Sequence, residues 1–155
     1  MRKEDKELLY IDLCGRLPYG VKCQVQEDEY TYIGTLCRIE VDNKNGYLLD
    51  FVESMSSLDC QVNISKVKPF LFPLSSMKEE QMEELEELCD MYTPDDDYHP
   101  YAYKGIKVLY KHVLDDNYEF NFKTDVIDWF HKNHIDYRGL IPVGLANDAT
   151  GKGIY

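Results

Sequence analysis

The order of apolar and polar positions divides the chain into segments of two periods. Between Glu4 and Leu13 the residues Leu9, Leu13 and then Leu17 recur at helical spacing, widened by Leu8 and Ile11, which predicts a helix ended by Gly15 and Pro18. Val21, Cys23 and Val25 then alternate with Lys22, Gln24 and Gln26, the period of a half-buried strand. Beyond the polar turn Glu27-Asp28-Glu29, a longer strand is predicted from Tyr30 to Val41. It sets Ile33, Thr35, Cys37, Ile39 and Val41 on one face and Tyr32, Gly34, Leu36, Arg38 and Glu40 on the other, with Gly34 a candidate bend or bulge. Asn45-Gly46, closing the run from Asp42, is a hairpin signal, and Tyr47, Leu49 and Phe51 alternate after it, so these two strands are expected to pair. Cys60, Val62 and Ile64 suggest a fourth strand and Val67 to Phe72 a fifth, which Pro69 and Pro73 place at an edge or carry out of the sheet.

The second half changes character. Ser76-Met77-Lys78-Glu79 has the form of a capping box, and Met82, Leu85, Leu88 or Cys89, and Tyr92 make the apolar stripe of the helix it would start. Pro94 ends that helix, and Asp95 to Pro100 reads as a loop. Tyr103 to Val113 leans towards strand. Thr124 is placed to cap a last helix from Asp125 to about Asn133, with Val126, Ile127 and Phe130 at helical spacing and Trp129 beside them. From His134 to Tyr155 glycines and short apolar runs suggest a strap docked on the rest. The expected fold is α+β: an N-terminal helix, a small antiparallel SH3-like β barrel, then an acidic helix, short strand(s) and a C-terminal helix with an irregular tail. The chain, 1–155, is expected to be a single domain, with a mainly β lobe over 1–75 and a mixed helical lobe over 76–155.

Composition narrows the function. With 17 Lys+Arg against 29 Asp+Glu the net charge is −12, which disfavours nucleic acid and anionic membranes as partners because neither would find the cations it needs. The charge is local: residues 79–97 hold ten acids and no Lys or Arg. Five cysteines, an odd count with no CxxC spacing, read as reduced thiols of a cytoplasmic protein. No apolar run reaches the ~20 residues of a membrane span, and the charged start at Arg2 to Glu7 has no secretory h-region.

The chemistry-bearing residues give few constellations. His131 and His134, three apart, share a helical face and with Asp136 could hold a metal in a hydrolase, but a structural zinc site needs four ligands and no cysteine or further histidine stands near at ligand spacing. Helix-end packing near the dipole's negative pole explains the same pair. Thr150-Gly151-Lys152-Gly153 fails as a phosphate loop, since Ala146 stands where the first glycine is required. Asp95-Asp96-Asp97 lacks the glycine and distal glutamate of a calcium loop, and no serine is flanked as GxSxG. No catalytic residue, metal site or cofactor is therefore assigned. His134, Asp136, Tyr137 and Arg138, just before Gly139, either anchor the tail or form the polar centre of a ligand site. The acidic helix over 77–92 and the tyrosine-rich stretch over 92–110 are the candidate contact surfaces for a protein partner, with Glu80, Glu83, Glu84, Glu87, Tyr98 and Tyr101 as the residues singled out.

Three blocks, Leu17 to Val21 (LPYGV), Val67 to Met77 (VKPFLFPLSSM) and His134 to Pro142 (HIDYRGLIP), resemble an uncharacterised family of small proteins found in gut anaerobes and in their phages and mobile elements. The resemblance spans most of the chain and implies a context, a phage or mobile-element accessory protein working inside a bacterial cell, without an activity or site residue. Together these readings lead to a non-enzymatic interaction protein, with oligomeric state open. The alternatives are an acidic mimic of nucleic acid that inhibits a host nucleic-acid-binding protein, and the metal-dependent hydrolase built on His131, His134 and Asp136.

Overall fold

The computed structural model describes residues 1–28, 30–52, 61–90 and 120–155. In chain order they form α1 (Lys3–Arg16), β1 (Lys22–Gln26), β2 (Thr31–Asp42), β3 (Gly46–Val52), β4 (Val62–Asn63), β5 (Val67–Pro73), α2 (Glu79–Asp90), α3 (Phe120–Lys132), β6 (Ile135–Asp136) and β7 (Asn147–Asp148), so the fold is α+β. Single 3₁₀ turns follow α1, β4 and β5. The chain divides into two compact units, one of Met1–Leu71 with Arg138–Tyr155 and the other of Phe72–Tyr137.

In the first unit, β1 to β4 form an antiparallel meander, β5 pairs antiparallel with β1 at its free side, and β7 adds to β5 in parallel at Phe70↔Asn147 and Leu71↔Asp148, so β5 is paired on both sides and is not the edge strand that Pro69 and Pro73 predict. No ladder among the described residues joins β4 to β5, so the sheet is open and the expected closed SH3-like barrel is not formed by strand pairing. The physical reason is the connection: Asn63 accepts from the Ser65 amide and turns the chain into the 3₁₀ turn Ile64–Lys66, which separates β4 from β5 rather than pairing them. The β2–β3 hairpin forms as expected, with Asp42 Oδ1 accepting from the Lys44 and Asn45 amides at 2.7 and 2.6 Å and Gly46 supplying φ 78°.

The face assignment along β2 needs correction. The register slips between Leu36 and Arg38, leaving Cys37 as the extra residue of a bulge. Before it the inward face is Gly34 and Leu36, so Leu36 is 2% exposed while Ile33 is 48% exposed; after it Ile39 packs on the core. One inserted residue exchanges the two faces, which a strict period of two cannot follow. Gly34 is required by proximity, since a Cβ there would lie 2.9 Å from Phe51 Cβ.

Leu9 and Leu13 of α1 close one side of this core, against Val21, Cys23, Val25, Leu49, Ile64, Val67 and Leu71, and Tyr10 stacks on Tyr47 with ring centroids 4.2 Å apart. Each buried Val or Leu contributes about 1.5–3 kcal/mol through removal of apolar surface from water. Gly15 does not end α1, which continues to Arg16. The Arg16 guanidinium grips Asp12 at 2.7 and 3.1 Å one turn back, and both side chains are wholly buried. Pro18 then enters a 3₁₀ turn, and Gly20 at φ 63° reverses the chain into β1.

In the second unit, Leu85 of α2 packs with Met77, Val126, Phe130, Ile135 and Tyr137. The end of β5 pairs in parallel with β6 at Phe72↔Ile135 and Pro73↔Asp136. Two expected caps are displaced. Ser76 donates its hydroxyl to the Pro73 carbonyl at 2.7 Å within the 3₁₀ turn, and α2 begins after Lys78, whose amide donates to Gln81 Oε1 at 3.1 Å. Thr124 lies inside α3, which starts four residues earlier at Phe120. The fourth strand is only two residues long and excludes Ile64. The expected loop over 95–100 and the strand over 103–113 lie outside the described residues.

Candidate functional site

Helical geometry sorts α2 into two faces. Leu85 is buried, Met82 and Leu88 are partly buried beside it, and Glu79, Glu80, Glu83, Glu84 and Glu87 are exposed. The four glutamates singled out from the sequence, Glu80, Glu83, Glu84 and Glu87, thus share one solvent-facing side of a helix whose described residues include no cation. Trp129 of α3 donates its indole N–H to Glu84 Oε2 at 3.2 Å and meets Phe130 edge-on, with ring centroids 5.5 Å apart. Gln81 donates to Asn133 Oδ1 at 3.4 Å, a second polar link from α2 to the end of α3. One carboxylate of the acidic ridge is therefore held in place from the neighbouring helix. Nothing in the sequence pointed to that bond, because its partners are 45 residues apart. Tyr98 and Tyr101 lie outside the described residues.

The polar block after α3 is distributed. The Tyr137 hydroxyl and His131 Nε2 are hydrogen-bonded at 2.9 Å, and the Tyr137 ring, 1% exposed, stacks on Phe130 with centroids 5.2 Å apart. His134 takes φ 54°, the left-handed region, at the turn out of α3, and it and Asp136 are buried. The backbone carbonyl of His134 accepts from the Phe72 amide at 2.9 Å, which fixes the start of β6. Arg138 instead pairs with Asp12, its Nε lying 3.4 Å from Asp12 Oδ1. Among the described residues no three His, Cys, Asp or Glu side chains are gathered to hold a metal ion.

Two further features of the first unit carry polar chemistry. Asp12 is gripped by Arg16 and approached by Arg138, a buried carboxylate between two guanidiniums. An open hollow of about 420 Å³ is lined by Glu27, Asn45, Gln61, Asn63 and Lys66 among others. Lys66 Nζ lies 2.9 Å from Asp28 and 3.8 Å from Glu27, and its hydrogen bond to Asp28, then the charge of that carboxylate, hold its pKa above the ordinary lysine value. The hollow's cation is thus already matched by acids of the same chain.

No protein-family model, curated protein or solved structure matches this chain. No helix among the described residues is long and apolar enough to cross a membrane.

Proposed function

We propose that this chain is a non-enzymatic interaction protein of the phage or mobile-element accessory kind, working inside the cell, and that it docks a basic protein surface on the acidic face of α2. The observation that carries this reading is the segregation of α2: its described apolar residues turn to a packed core while five described glutamates face solvent, with Glu84 pinned by Trp129. Like charges at i,i+3 and i,i+4 each cost about 0.2–0.5 kcal/mol of helix stability, a cost that a cationic partner would reverse. Complementary charge of this kind governs encounter rate and partner choice more than raw affinity. The strand order β4-β3-β2-β1-β5 supports an SH3-like arrangement for the first unit, as a scaffold rather than a site.

The test compares the chain with a Glu80→Lys, Glu83→Lys, Glu87→Lys variant, both immobilised and exposed to lysate of a gut anaerobe. A partner retained by the parent chain, released by raising salt from about 0.05 to 0.5 M and absent from the variant supports the reading. A far-UV circular dichroism melt shows whether the variant is folded. Retention of the same proteins by both chains, or of none by the parent, overturns it.

A further inference from the structure

The β1–β5 ladder stops one position short. It runs Val25↔Val67, Gln24↔Lys68 and Cys23↔Pro69, and the next pair would set Lys22 opposite Phe70. There the Tyr155 hydroxyl stands between the two backbones, accepting from the Lys22 amide at 3.1 Å and donating to the Phe70 carbonyl at 2.9 Å. A hydroxyl is both donor and acceptor, so one side-chain oxygen can replace a rung of the sheet. The residues leading to it lie along the other side of β5, where β7 pairs in parallel and the Ala149 amide donates to the Leu71 carbonyl at 2.8 Å. Side chains complete the attachment. Asn147 donates to Gln24 Oε1 at 2.8 Å, Lys22 Nζ donates to the Ile154 carbonyl at 2.6 Å, and the Lys152 ammonium sits 5.4 Å over the Phe70 ring.

The attachment is polar where the anchor is apolar. Leu140, Leu145 and Ala146 belong to the core, whereas between Asn147 and Tyr155 only the small Ala149 is buried. Gly151 and Gly153, at φ 70° and 60°, lie within that polar stretch. A segment held by near-surface hydrogen bonds, with little apolar area to lose, opens at a free-energy cost well below that of unfolding the whole unit.

We propose that Asn147–Tyr155 is a strap that opens and closes on β1 and β5 as a unit, with the Tyr155 hydroxyl as its latch and the Lys22 and Ala149 amides as the groups it protects. Opening removes the bridged rung and lets water reach the β1–β5 seam, while the anchor at Leu140 to Ala146 stays in place.

Native-state hydrogen exchange of the full chain, followed by NMR over a series of low urea concentrations, tests this at the Lys22 amide, which donates to the Tyr155 hydroxyl, and at the Ala149 amide, which donates to the Leu71 carbonyl. The expected result is an exchange rate at both amides that is nearly flat in urea, the mark of local opening, and that at Ala149 rises at least tenfold with Tyr155→Phe, which keeps the ring and removes only the bridging oxygen. Asn147→Ala, which removes the bond to Gln24, raises the rate in the same direction and serves should Tyr155→Phe not fold. A rate within threefold of the parent in both variants overturns the proposal, and so does a rate that follows the urea dependence of global unfolding in every form.

Discussion

Asp12 and Arg16 offer the sharpest test of how the first unit is held together. Both side chains are 0% exposed, and their two hydrogen bonds measure 2.7 and 3.1 Å. Removing one member of such a pair strands the other in a low-dielectric core, at a cost of about 3–5 kcal/mol. Asp12→Ala is therefore expected to cost about 4 kcal/mol, because it leaves the Arg16 charge without the carboxylate it grips. Arg16→Met is expected to cost less, about 2–3 kcal/mol, because Asp12 still has the Arg138 guanidinium at 3.4 Å. At roughly 2–4 °C per kcal/mol for a chain of this size, the Asp12→Ala shift in Tm is about 8–16 °C. The double variant Asp12→Leu, Arg16→Met replaces the pair by apolar groups of similar volume. It should recover to within about 1 kcal/mol of the parent, since desolvating two charges offsets most of what their attraction gains. Urea unfolding followed by far-UV circular dichroism on these four proteins and on Asp12→Leu supplies the double-mutant cycle, closed over the parent, Asp12→Leu, Arg16→Met and the double variant. An Asp12→Ala cost below about 1 kcal/mol, or a double variant whose cost equals the two single costs added, would refute the reasoning.

Three more outcomes follow from the same physical reading. Gly34→Ala should lower stability by about 1–3 kcal/mol, because the added Cβ would stand 2.9 Å from Phe51 Cβ across the β2–β3 pair; a thermal melt within 1 °C of the parent contradicts that packing. Glu83→Lys should raise stability by about 1 kcal/mol at low ionic strength, turning repulsion by Glu79, Glu80 and Glu87 into attraction, and the gain should shrink at about 0.5 M salt; no gain at low salt would show the acids already screened. The Thr150 backbone amide, donating at 2.8 Å, holds the Asp148 carboxyl below its ordinary value of 3.8. A depressed carboxyl contributes stability that is present above the unfolded value and lost as pH falls through the folded one, so loosening of the Asp148–Thr150 turn belongs below about pH 4. An NMR titration placing the Asp148 midpoint above 3.8 would contradict this.

What the sequence made legible is what neighbours in the chain decide. The Asp42 to Gly46 hairpin, the α1 stripe of Leu9 and Leu13, and the burial of Leu85 beneath exposed Glu80, Glu83, Glu84 and Glu87 all follow from spacing and turn chemistry within one element. The unread features depend on pairs. Asp12 and Arg16 carry no weight in a stripe read from leucines, because hydropathy scores residues singly, while two opposite charges one turn apart can enter a core that neither could enter alone. The bulge at Cys37 escaped for a related reason: a period of two carries no information about the partner strand, so one extra residue opposite Phe51 and Asp50 leaves the alternation intact and reverses its meaning. The tail is the extreme case, since Tyr155 completes a rung between Lys22 and Phe70, over 80 residues away from either. This division bears on function. If binding resides on α2, its residues were readable because an exposed, like-charged face needs no distant partner to exist, and charge reversal there should alter recognition while leaving the fold intact. The strap and the buried carboxylate belong to the other kind, and substitution there should be felt first in stability and in amide protection at Lys22 and Ala149.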